Sequence, residues 1–218
     1  MKTKATFLKQ ENKEEKAYFW LGKGGNSKGT RTTLLHRSLG GYMCELSVNY
    51  YTQHDKSPDA PNQNLFNCRN ARLLNTSEVN DTNQYNGDLC FIADKFKRIT
   101  GGDIITARAI GVQNTAQFIA GKILIQTQNI PSFTKIDGGL KRRIVVIEFP
   151  YNFTEDEEKI KNKPSVFKLA DNNLKTEFSK PVYRRAFIDM LFEYYKLYLK
   201  EGLIIPPSVK AYTNSYFC

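Results

Sequence analysis

The chain has 218 residues, 40% of them apolar and with only 14 glycines and 8 prolines, so it can bury an ordinary core and is not composed for disorder. Its 32 Lys+Arg against 22 Asp+Glu leave a net charge of +10, which suits a polyanionic partner such as nucleic acid and equally a generally basic surface. No apolar run reaches the roughly 18 residues of a membrane helix, and the opening MKTKATFLKQENKEEK lacks a signal-peptide core, so the expectation is a soluble intracellular protein with no membrane partner.

The four cysteines, Cys44, Cys68, Cys90 and Cys218, have no metal-ligand spacing and read as free thiols. Residues 1–16 are a polar lead-in that carries the end of a helix or a loose segment. AYFWLG, residues 17–22, is a short apolar run stopped by glycines and predicts a buried strand. Leu34, Leu35 and Leu39 follow at helical spacing, and Gly40-Gly41 ends that helix. ARLLNTSEV, residues 71–79, predicts a second strand with a carboxylate at its end, and DLCFIADKFKRITGG predicts a helix. DIITARAIGVQNTAQFIAG reads as a hairpin turning near Gln113-Asn114. KILIQTQN, residues 122–129, and RRIVVIEF, residues 142–149, predict two further strands. Residues 154–163 read as a linker or exposed loop. The remainder is helical, with Ser179 as N-cap, Pro181 in the first turn, Gly202 as the stop, and Phe187, Leu191, Tyr194, Tyr195 and Tyr198 as a packing stripe. Strands alternating with helices imply a mostly parallel sheet in a three-layer α/β domain.

Two segments carry chemistry. Gly22-Lys23-Gly24-Gly25-Asn26-Ser27-Lys28-Gly29-Thr30 follows the first strand and opens the first helix, the layout of a phosphate-binding P-loop. Glycines let backbone N–H groups point at phosphates, the helix N-terminus adds partial positive charge, Lys28 reaches the β/γ-phosphates, and a hydroxyl ligates Mg²⁺. Ser27 stands where GxxxxGK[ST] has its second glycine, and Gly29 stands where the metal hydroxyl belongs, which leaves that task to Thr30 or water. The second segment, Leu73 to Glu78 followed by Asp81, places a carboxylate at a strand end beside the loop, the Walker B arrangement that holds the Mg²⁺ shell and polarises the attacking water.

The ordered set of segments resembles the superfamily 3 helicases, particularly the poxvirus-type primase–helicases of large DNA viruses and related phage and plasmid proteins. GKGGNSKGT is similar to their GxGxNGKST loop, ARLLNTSEV to their second acidic motif, and KRITGGDIITAR to the block before their DNA-binding hairpin. ILIQTQNIP resembles their sensor motif, LKRRIVVIEF the block carrying their arginine finger, and GLIIPPSVKAYTNSY the segment after their helical region. The resemblance implies an AAA+-like P-loop three-layer sandwich, with a hairpin before the sensor strand and a helical C-terminal appendage. It divides the chain into the lead-in, an ATPase domain over residues 17–153, and a linker with a truncated helical region over 154–218.

By the same resemblance, Gly22, Gly24, Gly25, Asn26, Ser27, Lys28, Gly29 and Thr30 form the nucleotide cradle, with Thr30 and Glu78 toward the metal. Glu78 is the main acidic residue, Asp81 a second, Asn129 the sensor, and Arg142 or Arg143 the finger that enters a neighbouring subunit's nucleotide. Gln113 and Asn114 at the hairpin tip, and Arg108 on its arm, are DNA contacts, although Arg108 and Asp103 serve equally well as structural ion pairs. The hairpin tip carries no charge, so amide and backbone contacts to phosphate are expected there. The implied activity is an ATP-dependent DNA helicase motor in viral or mobile-element replication. It uses ATP and Mg²⁺, acts on single-stranded or forked DNA in a ring, expected to be a hexamer, and works at a viral replication site in host cytoplasm or nucleus. The alternatives are an inactive P-loop remnant that binds DNA or subunits, and an AAA+ remodelling ATPase that does not unwind DNA.

Overall fold

The computed structural model describes residues 1–54, 60–79, 90–111, 113 and 115–217, with the backbone alone for residues 78 and 79. In chain order the principal elements are β1 (Ala17–Leu21), α1 (Lys28–Leu39), β2 (Met43–Glu45), β3 (Leu73–Val79), α2 (Ala93–Thr100), β4 (Ile104–Arg108), β5 (Thr115–Ile119), β6 (Lys122–Thr127), β7 (Ile144–Glu148), α3 (Pro181–Glu201) and α4 (Pro207–Ser215).

Five strands form one sheet in the order β2-β3-β6-β1-β7, and every neighbouring pair is parallel. Strands buried on both faces need no polar alternation, which is why AYFW and the ILI of β6 read as continuous apolar runs. In β1 the side chains alternate between two cores. Ala17 and Phe19 face one that holds Tyr51, Phe91, Phe96, Ile123 and Ile125. Tyr18 and Trp20 face the other, with Leu35 and Leu39 of α1 and Phe187 and Leu191 of α3. Helices on both faces of a mostly parallel sheet make the three-layer α/β architecture expected from the sequence.

Buried polar side chains help fasten the segments at the two ends of the chain to the sheet. Thr213 of α4 accepts a hydrogen bond from the Val146 backbone N–H at 3.0 Å, inside the protein. Lys122, the buried first residue of β6, donates to the backbone carbonyls of Lys9 and Glu11 and so fixes the lead-in. Burial draws its ammonium down to about 8.

The hairpin is present as an antiparallel β4–β5 pair, with Ile104 opposite Ile119 and Arg108 opposite Thr115. Other expectations shift. Within the segment taken whole as a helix, residues 88–102, Cys90–Phe91 is instead a two-residue strand paired with Ser132–Phe133, the helix starts at Ala93, and residues 88 and 89 lie outside the described residues. Stacking of buried Phe91 on Tyr51, at 4.9 Å between ring centroids, holds that stretch extended. Residues 154–163 are not a plain loop: Asp156 caps a short helix, Glu157–Asn162, by accepting from the Lys159 N–H. Lys180, not Ser179, is the N-cap of α3, because the Ser179 hydroxyl is spent on the Thr176 carbonyl at 2.6 Å. Edge strand β2 carried no sequence signal at three residues.

Replacing Thr213 with Val keeps the volume but leaves the Val146 N–H buried without an acceptor. The cost expected from denaturant unfolding is about 1–3 kcal/mol; an unchanged midpoint would mean that the α4 contact is apolar alone.

Candidate nucleotide-binding site

The glycine loop turns sharply out of β1 because its neighbours leave no room for side chains. A Cβ on Gly22 would lie 2.8 Å from the Phe149 carbonyl oxygen, and one on Gly25, where φ is +73°, would lie 2.8 Å from Asn152 Oδ1. Asn152 donates from Nδ2 to the Gly24 carbonyl at 3.1 Å, and the Phe153 N–H donates to the Gly25 carbonyl at 2.7 Å, so the loop is braced from behind. Ser27 then adopts the left-handed conformation, φ 67° and ψ 8°, and α1 begins at Lys28. That is the backbone a glycine adopts freely, so the substitution at this position keeps the shape of the loop and stores strain in it.

Asn26 is buried beneath the loop. Its Oδ1 accepts from the Lys28 N–H at 3.3 Å, while its Nδ2 has no partner among the described residues. The Lys28 ammonium donates to the Gly22 carbonyl across the mouth of the loop, and burial holds it below the ordinary lysine value.

A cavity of about 930 Å³ opens at the carboxyl ends of the parallel strands, where such sheets bind ligands. Lys23 to Thr30 form one wall. Thr32, Thr33, His36 and Arg37 line it from α1, Glu45 from β2, Ser77 from β3, and Gln126, Thr127 and Gln128 from the end of β6. Lys175, from the short helix Leu174–Glu177, closes over it. Four cations, Lys23, Lys28, Arg37 and Lys175, thus face a cavity rimmed with hydroxyls and loop N–H groups, a donor set suited to a polyphosphate. An added Cβ on Gly29 would meet nothing within 4 Å, so the missing hydroxyl there is not excluded by space; Thr30 lines the cavity one residue later.

The structure gathers Gly24, Gly25, Asn26, Ser27, Lys28, Gly29 and Thr30 in this cavity, with Gly22 at the turn leading into it. Glu78 lies in β3 beside it, and nothing of its side chain is described; Asp81 and Asn114 fall outside the described residues. Asn129 borders a smaller neighbouring cavity, whereas Gln128, one position earlier, reaches the main one. Arg142 and Arg143 precede β7 at the opposite, amino end of the sheet, and both pair with Glu15, at 2.6 and 3.0 Å. Arg108 and Gln113 belong to the hairpin, away from the cavity. Sequence reasoning missed Glu45, Gln126, Lys175 and the bracing Asn152. Only Gln126 left a trace, as a polar residue inside the run ILIQT.

A parallel five-stranded α/β sheet with a glycine loop at the carboxyl end of β1, an interior strand next to the edge strand β7, defines the class. No family model matches the chain. Its relatives are viral: it is 27% identical over 217 residues to a protein named putative helicase L207/L206 of Acanthamoeba polyphaga mimivirus, covering 97% of this chain and 22% of that protein. It is 27% identical over 202 residues to putative helicase V13 of Sputnik virophage, covering 91% of this chain and 25% of the relative. It is 26% identical over 197 residues to Primase D5 of Fowlpox virus, covering 88% and 24%. An apo structure of the NrS-1 C-terminal region superposes with a TM-score of 0.53 at 15% identity, covering 96% of this chain and 44% of the other, and so shares the fold. The chain is thus similar to viral proteins named helicases and to a poxvirus primase, and spans about a quarter of the length of these curated relatives.

Because Ser27 holds a left-handed backbone at about 1–2 kcal/mol, Ser27→Gly is expected to raise the melting temperature by about 2–8 °C, less what glycine's larger loss of backbone freedom takes back. Gly25→Ala is expected to lower it, since the new methyl meets Asn152. Calorimetry of both variants checks the pair, and a lower melting temperature for Ser27→Gly would refute the strain.

Proposed function

We propose that this chain is the ATP-driven motor segment of a viral-type primase–helicase, coupling Mg²⁺-dependent ATP hydrolysis to movement along single-stranded DNA. The observation that carries the reading is the cationic cavity at the carboxyl ends of the sheet, walled by Lys23 to Thr30. Homology to proteins named helicases and to a poxvirus primase supports the same reading.

The residues present fit the nucleotide and its metal. The loop N–H groups and the start of α1 take the β- and γ-phosphates, and Lys28 exchanges its Gly22 carbonyl for a phosphate oxygen. The orphaned Nδ2 of Asn26 is a further donor held beneath the loop. Thr30 would supply a hydroxyl toward the metal and Glu78 the strand-end carboxylate, while Gln128 and Lys175 line the cavity that would hold the terminal phosphate. The bound metal neutralises phosphate charge; the chain's own part is to position the phosphates and to exclude loose water. DNA contacts fall to the hairpin, with Gln113 at its tip and Arg108 on its arm, as the chain lines a channel in a ring of copies.

Of the two candidate fingers, Arg142 is the one suited to reach a neighbour. Its side chain is 58% exposed, whereas Arg143 is 11% exposed and also donates to the Gly139 carbonyl at 2.8 Å. Arg143 is the structural partner that holds the turn before β7. The rival reading, an inactive remnant, drew on Ser27 and Gly29. The glycine-like loop conformation kept at Ser27 weighs against it.

Purified chain is expected to hydrolyse Mg-ATP faster with single-stranded DNA, and Lys28→Ala is expected to abolish turnover in a colorimetric phosphate assay. Full activity in Lys28→Ala would remove the loop from the mechanism, and hydrolysis indifferent to DNA would favour a remodelling ATPase. Arg142→Ala is expected to leave the melting temperature and nucleotide affinity intact while slowing turnover by about 10³-fold or more. Arg143→Ala is expected to lower the melting temperature instead. The reverse pattern would exchange the two roles.

A further inference from the structure

Cys44 and Cys68 stand 24 positions apart in the chain, yet their sulfurs meet. Cys44 lies in the edge strand β2, opposite Leu74 of β3, and packs against the core that holds Cys68. Cys68 follows the short helix Gln63–Asn67 and opens the single 3₁₀ turn Cys68–Asn70. It is 1% exposed, whereas Cys44 is half-buried. The Cys68 thiol donates to Cys44 Sγ at 2.9 Å. A disulfide bond is about 2.05 Å long, so forming one here asks the sulfurs to close by about 1 Å. A buried cysteine alone packs as a small apolar group. Two with their sulfurs in contact are placed for a reaction that neither can perform alone.

The pair joins two parts of the fold. On one side is the strand whose next residue, Glu45, points the other way and lines the cavity. On the other side is the stretch that grips the hairpin. The Asn62 N–H donates to the Arg108 carbonyl at 2.9 Å, and Gln63 Oε1 accepts from the Ile110 N–H at 3.0 Å. Gln10 Nε2 ties the Arg69 carbonyl to that of Ile119, at 2.9 and 3.0 Å. Asn64 spans the same junction: its Oδ1 accepts from the Ser47 N–H at 2.8 Å and its Nδ2 donates to the Glu45 carbonyl at 3.0 Å. Hydrogen bonds of this kind open and close locally, and a covalent bond beside them would not.

We propose that Cys44 and Cys68 are a peroxide-sensitive thiol pair whose disulfide locks the support of the hairpin to the edge of the sheet. In the first step the Cys44 sulfur attacks hydrogen peroxide and loses its proton. An S–O bond forms, the O–O bond breaks, and water leaves. In the second step the Cys68 sulfur attacks that of Cys44, the S–S bond forms, the S–O bond breaks, and the departing hydroxide takes the Cys68 proton as water. Two thiols are oxidised by two electrons, and one peroxide is reduced to two waters. Burial, with the hydrogen bond to Cys44 adding to it, pushes the Cys68 thiol up, so Cys68 waits as the resolving thiol while Cys44 meets the oxidant. A dithiol reductant reverses the bridge by exchange.

The test treats the full chain with hydrogen peroxide, blocks remaining thiols with a maleimide and maps the peptides by mass. The expected result is a Cys44–Cys68 cross-link, with Cys90 and Cys218 still alkylated. The melting temperature is expected to rise by about 5 °C or more. Amide hydrogen exchange across β4 and β5 is expected to slow about 10-fold or more. Dithiothreitol is expected to restore both, and neither Cys44→Ser nor Cys68→Ala is expected to show either change. Free alkylation of both thiols after peroxide, or Cys44 carried to a sulfinic acid with no cross-link, overturns the proposal. So does a cross-link that leaves hairpin exchange unchanged, since the bridge would then lock nothing. None of these readouts needs a nucleotide, so the pair stands or falls apart from the motor reading.

Discussion

Strand β1 lies between β6 and β7 in one continuous parallel register, with Ala17 opposite both Ile123 and Ile144. Four of its five residues are buried, and they feed two cores alternately. A slip of one residue would send Trp20 and Tyr18 to the wrong core, so burial fixes the register tightly. Everything chemical follows from that placement, because the glycine loop is simply what comes after Leu21. The ends of β3 and β6 are held level with it by the same ladder, and their polar tips meet the loop across the cavity.

The sheet was legible because its strands are long apolar runs between glycines and polar breaks. The loop was legible because glycines, lysine and a helix start in that order serve one chemistry. What escaped reading lacked local signature. Three residues of β2 are too few for a pattern, and so Glu45 could not be placed beside Ser77. Lys175 lies far along the chain in a short helix, and only packing of that segment brings it over the cavity. The helix expected over residues 88–102 gives way to strand at Cys90–Phe91 because aromatic stacking, a tertiary effect, overrode the helical composition there. Asn129 against Gln128 is a question of which way a strand end turns, which periodicity does not resolve.

Ser27 shows how a departure from a motif can be absorbed. The loop is held from outside, by Asn152 on the Gly24 carbonyl and by the Phe153 N–H on the Gly25 carbonyl. That bracing comes from the segment after β7, where Asn152–Thr154 pairs in parallel with Phe167–Leu169. The shape of the glycine loop is therefore set partly by residues more than a hundred positions later, and a serine is carried in a glycine's conformation by the surrounding structure.

The arginines and the cavity lie at opposite ends of the same strands. Five residues at roughly 3.3 Å each separate the two ends of β7, and Glu15 holds both guanidinium groups at the amino end. On the finger role proposed for Arg142, a side chain held at that end would complete a cavity on another copy rather than its own. Catalytic output then ceases to be a property of one molecule. Activity per chain would climb with protein concentration until neighbours are saturated, and dilution alone would silence a chain whose every residue is intact.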